Sequence, residues 1–128
     1  MNLEERLRNE GMSDQFIARA KAGLDRLAAL PRLNSRLVIT PGVRALIDDE
    51  MRLLCAGAEM LRRHLSGDWG DETLPPEDWS ANDHALVSGA RLLSAHFVVG
   101  IGDVWIITDA ENDEGFRECT TILLPSEY

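Results

Sequence analysis

Two apolar runs, 91–99 (RLLSAHFVV) and 103–108 (DVWIIT), are separated only by Gly100-Ile101-Gly102. So short a gap must be turned as a hairpin, and glycine supplies the left-handed backbone that such turns need. A third run, 119–124 (CTTILL), follows the polar, acidic loop 110–118 and stops at Pro125. The spacing therefore predicts an antiparallel three-strand meander.

Upstream the apolar period changes from two to nearly four. Residues 2–10 read as a short helix stopped by Gly11, and Ser13 caps a second helix carrying Phe16, Ala20, Leu24, Leu27 and Ala28 before Pro31. Together they predict an N-terminal helical hairpin over 1–35. A short strand at 36–40 precedes Thr40-Pro41, an N-cap followed by proline at the first helical position. Val43, Leu46, Ile47, Met51, Leu54, Leu61 and Leu65 then share an apolar face. It belongs to one long helix, or to two separated near Gly57, ending at Gly67. Residues 67–79, with two glycines, two prolines and five acids, read as loop. Ser80 and Asp83 look like a capping box opening a short helix that ends at Gly89.

Helices followed by a meander predict a single α+β domain over 1–128, with an α+β core at 36–128 and residues 36–40 as an added edge strand. Leu92-Leu93, Val98-Val99 and Ile106-Ile107 place apolar residues on both sheet faces. Each face then needs cover from helices or a second subunit, which makes a homodimer one expected arrangement.

The chain is acidic overall, and the charge is divided. Residues 1–66 hold 11 Lys/Arg against 9 Asp/Glu, a net of +2, while residues 67–128 hold 2 against 13, a net of −11. Nucleic-acid binding draws on Lys and Arg beside each phosphate, so the second half is a poor surface for it. A concentrated negative field suits a basic protein face instead. No apolar run approaches the roughly 18–20 residues that span a bilayer, and the Met1 end is charged. Cys55 and Cys119 lie far apart, so a disulfide framework is not expected and a cytoplasmic setting is.

From His64 onward the sequence reads H-L-S-G-D-W-G-D, followed by Asn82, R-L-L-S-A at 91–95, V-W-I-I-T at 104–108 and T-T-I-L-L-P-S-E-Y at 120–128. With Thr40-Pro41-Gly42 before the helix, this resembles a family of small bacterial proteins carried on plasmids and other integrating elements. The resemblance covers about residues 36–128 and implies a mobile-element setting, without an established reaction. Two features depart from it. His96 replaces an aromatic, and the longer segment Asp109–Glu118 replaces a short loop bearing an Asp-Arg pair. Arg117 can stand in for that arginine only if the loop folds back.

Three constellations are candidates for chemistry. His64, Asp68 and Asp71, joined by Asp83 and His84, combine imidazole and carboxylate ligands for a divalent metal. The spacing matches no established metal signature, and Asx-turns at Asp68 and Asp71 with Trp69 and Trp79 pinning the loop are the more economical reading. His64, Arg91, Ser94 or His96, Thr108 and Thr121 could serve a metal-independent ribonuclease of the toxin type, with a base for the ribose hydroxyl and a cation for the phosphate. The third is an acidic face: Asp68, Trp69, Asp71, Glu72, Glu77, Asp78, Asp109, Glu111, Asp113, Glu114 and Glu118. It becomes one surface if loops 67–79 and 110–118 lie together.

Both cysteines read as core residues, Cys55 on an apolar helix face and Cys119 at the start of a strand. No phosphate-cradling glycine loop is present, and no cofactor is expected. The expected function is a non-enzymatic, acidic interaction protein that binds a basic protein surface, as an inhibitor of host defence or a regulator would. The ribonuclease is the alternative.

Overall fold

The computed structural model describes residues 2–29, 36–70 and 74–128. The α+β fold has helices α1 (Leu3–Asn9), α2 (Asp14–Ala28), α3 (Pro41–Leu46), α4 (Glu50–Leu65) and α5 (Pro76–Ser88). Its strands are β1 (Arg36–Ile39), β2 (Leu92–Val98), β3 (Gly102–Thr108) and β4 (Cys119–Leu123), and a 3-10 turn covers Pro125–Glu127. The sheet order is β1-β4-β3-β2. The meander is antiparallel as its turns require, but β1 joins β4 in parallel, which makes the sheet mixed.

Helix starts follow local chemistry. Asn2, Ser13, Thr40 and Asp49 each accept a backbone N–H from the first turn of α1, α2, α3 and α4. The α3–α4 break therefore falls at Ile47–Asp49, not near Gly57, because Asp49 supplies a cap that an uninterrupted apolar face conceals. Helix α5 begins at Pro76, four residues before the expected Ser80 cap. Pro76 stands in the first turn, where a missing N–H costs nothing, and Gly89 closes the helix in the left-handed conformation.

The register divides the sheet into two faces. Leu92, Ser94 and His96 lie opposite Thr108, Ile106 and Val104, and Thr108 and Ile106 lie opposite Thr120 and Ile122. This face takes α3, α4 and the break between them, where Val43, Ile47, Leu53 and Met60 pack on Val104, Ile106 and Ile122. A second core joins α1, α2 and α5 through Leu3, Leu7, Ile17, Leu27 and Leu86, with Trp69, Leu92 and Ala95. Gly23 sets the α2–α5 crossing, since a Cβ there would lie 2.0 Å from the Leu86 carbonyl oxygen.

The two sheet edges are treated differently. On β2, the Asn82 side chain donates to the Leu93 carbonyl at 2.6 Å and accepts the Leu93 N–H at 3.0 Å. The Ala95 N–H donates to the Trp69 carbonyl, and Gly70 bridges to Ala95. That edge is closed. The β1 edge has no such cover among the described residues. The opposite sheet face keeps Trp105 against Tyr128, edge-on at 5.6 Å between ring centroids.

Candidate functional site

The last turn of α4 points His64 at the sheet, where the strand register has gathered small hydroxyl side chains. His64 Nδ1 lies 2.7 Å from Ser94 Oγ and Nε2 lies 2.8 Å from Thr108 Oγ1. The chain continues from Ser94 to His96 Nε2 at 2.8 Å and from Thr108 to Thr120 Oγ1 at 2.9 Å. All five side chains are buried, His64 completely. Burial is the main cause that pushes the His64 pKa down to about 3, with His96 and Arg117 adding to it. His64 is therefore neutral near pH 7, with one ring nitrogen donating and the other accepting. Trp69 closes the pocket, its ring edge-on to the imidazole at 5.7 Å.

Four residues of the ribonuclease set (His64, Ser94, His96 and Thr108) do meet, and two do not. Arg91 is exposed, hydrogen-bonded to the Tyr128 hydroxyl and stacked over its ring at 5.2 Å. Thr121 lies on the other sheet face, and Thr120 takes the place expected of it. Enclosed and weakly basic, His64 has no open path to a ribose hydroxyl.

Residues 68–70 of the H-x-x-G-D-W-G-D segment are tied to the body of the domain. Asp68 takes a bidentate pair from Arg63, at 2.8 and 3.2 Å, and accepts the Gly70 N–H as an Asx-turn. Partial burial pushes the Asp68 carboxyl up, but Arg63 and the Gly70 N–H outweigh it and hold the pKa below its ordinary value. Trp69 Nε1 donates to buried Asp83 at 2.9 Å. Asp83 also receives Arg6 at 2.7 and 3.2 Å, and Arg6 stacks on Trp79 at 4.9 Å. His84 is exposed and bonded to the Ser80 carbonyl. Among the described residues no three metal-ligating side chains converge. Asp71 and Glu72 lie outside the described residues.

Apart from Asp68, the described acidic positions fall into two places. Glu77 and Asp78 are exposed in the first turn of α5, whereas the 109–118 loop meets the other end of that helix, with the Glu111 N–H bonded to the Gly89 carbonyl. Thirteen helical residues at ~1.5 Å each put roughly 20 Å between them, well beyond the ~8 Å reach of charge at physiological salt. The expected single face is thus split. Arg117 does fold back: its guanidinium is buried and donates to the Ala85, Ala90 and Asp109 carbonyls. Asn112 accepts the Glu114 and Phe116 N–H groups, and Glu111 pairs with Arg26 at 3.1 Å. Asp109, Asp113, Glu114 and Glu118 remain exposed.

Cys119 is buried as expected, but Cys55 is exposed on α4. No family model, curated protein or solved structure matches the chain. No helix among the described residues is long and apolar enough to cross a membrane.

Proposed function

We propose that the chain is a non-enzymatic interaction protein that engages a basic protein surface through the 109–118 loop. One observation carries this reading: Asp109, Asp113, Glu114 and Glu118 are exposed on a loop fastened to the body by a buried arginine. A partner then meets carboxylates already arranged, so little ordering entropy is lost on docking. Complementary charge orients and speeds the encounter. The resemblance to mobile-element proteins fits a target in host defence or regulation. The ribonuclease alternative receives less support, because the base it requires, His64, is fully buried and its basicity is lowered by that burial.

The test compares wild type with the D109N/D113N/E114Q/E118Q variant as bait in nuclease-treated bacterial lysate. One protein should be retained by wild type, released by raised salt and lost from the variant. Equal retention by both baits, or retention insensitive to salt, would refute the reading.

A further inference from the structure

The open edge of β1 borders an apolar groove, and the two features share one surface. The Arg36 and Thr40 N–H groups donate to Glu118 and Ile122 of the β4 side. Strand alternation then turns the backbone groups of Leu37 and Ile39 outward, and no described residue bonds them. Beside them, a groove of about 330 Å³ runs between β1 and α4, lined by Leu37, Ile39, Leu53, Leu54, Leu61 and Ile122. Its floor opens at Gly57, where an added Cβ would meet nothing within 4 Å. Leu54, which lines the groove with Gly57, is 66% exposed. The surface offers projections, a recess, and backbone donors and acceptors that no described residue bonds.

We propose that this surface binds a second copy of the same chain, with β1 pairing antiparallel to β1 across a two-fold axis at Val38. Charge favours a copy here. With Val38 on the axis, exposed Arg36 of each copy comes opposite Thr40 of the other, whose hydroxyl donates to the exposed Glu127 carboxylate, so opposite charges meet at both ends of the paired strands. Symmetry fixes the register. Leu37 and Ile39 carry the outward groups, so Leu37 exchanges both bonds with Ile39 of the second copy, and the reverse. Val38 then faces Val38 in a non-hydrogen-bonded pair, and the two sheets become one of eight strands. Such a contact is isologous and closes on itself. It also buries an edge that would otherwise template aggregation.

The register supplies its own test. Directly opposed residues of that type have Cα atoms about 4.5 Å apart, within the roughly 4.4–6.8 Å span of a disulfide. Val38→Cys in a Cys55→Ser background should form a covalent dimer under mild oxidation, while Cys55→Ser alone should not. Sedimentation should give twice the chain mass for wild type. Leu37→Lys, whose charge blunts the edge, and Leu54→Glu, which fills the groove rim with charge, should each return the monomer mass with an unchanged circular dichroism spectrum. A wild-type monomer at the highest soluble concentration would overturn the proposal. So would a dimer that survives both substitutions, or one that forms no Val38→Cys cross-link.

Discussion

His64→Gln is the most informative substitution, because it removes a titrating group from the buried chain and keeps a donor and an acceptor. His64 has an ordinary pKa of 6.5 and is pushed down to about 3 by burial, His96 and Arg117. The unfolded chain therefore takes up a proton below pH 6.5 that the folded chain refuses until about 3. Stability from neutral His64 is complete above 6.5 and declines as pH falls, by about 1.4 kcal/mol per unit. Between pH 7.5 and 5 the wild type should lose about 2 kcal/mol that the variant does not lose. Carried to pH 3 the loss reaches about 4 kcal/mol, a large share of the stability of a small domain. At pH 7.5 the variant should be weaker by about 1–3 kcal/mol, the cost of one imperfectly met buried group. Urea unfolding followed by tryptophan fluorescence reads both effects, with Trp69 against the imidazole as a local reporter. Carboxylate titrations are shared by the two proteins and cancel in the difference. A gap of the same size at pH 7.5 and pH 5 would refute the burial reasoning.

Other perturbations test the clasps. Arg117→Met should cost about 3 kcal/mol or more, since three carbonyls lose a charged donor, and should speed hydrogen exchange in 110–118; protection unchanged from wild type would refute the anchoring role. Asp83→Ala strands Arg6 and the Trp69 N–H and should cost about 3–5 kcal/mol in urea unfolding, whereas a loss under 1 kcal/mol would mark the pair as dispensable. Gly23→Ala drives a methyl into the Leu86 carbonyl and should cost at least about 2 kcal/mol through forced separation of α2 and α5. Cys55 should react with a thiol reagent in the native protein and Cys119 only after unfolding; equal rates would contradict the burial pattern.

The elements that local chemistry dictates were legible in the sequence. Ser13 and Thr40 cap where expected, Gly89 stops α5, and the hairpin turns at Val99-Gly100-Ile101, one residue earlier than expected, with Gly102 already in β3. Boundaries without a local contrast were not. The apolar face runs through Ile47–Met51, so the Asp49 cap is hidden in it, and Pro75-Pro76 masks a helix start as a loop. The site was legible only in part, because its pairings are long-range. Ser94 and Thr108 reach His64 through strand register, which also decides that Thr120, rather than Thr121, completes the set. Arg6 and Asp83 stand 77 positions apart with no local pattern to join them. The distance between the acidic loops depends on their attachment to opposite ends of α5, which composition does not encode.

The line from His96 through Ser94, His64 and Thr108 to Thr120 has a consequence for how the sheet assembles. Sliding one strand by a single residue turns every side chain to the other face. An apolar sheet such as this could tolerate the error, because Leu93, Ile107 and Leu123 would fill the space beneath α4 nearly as well as the residues they displaced. The imidazole would not tolerate it: a slip of β2 removes Ser94 and a slip of β3 removes Thr108, and either encloses a ring nitrogen without its partner, at about 1–3 kcal/mol. The polar seam thus acts as a key that only the native alignment turns, and misaligned sheets are rejected while the core closes.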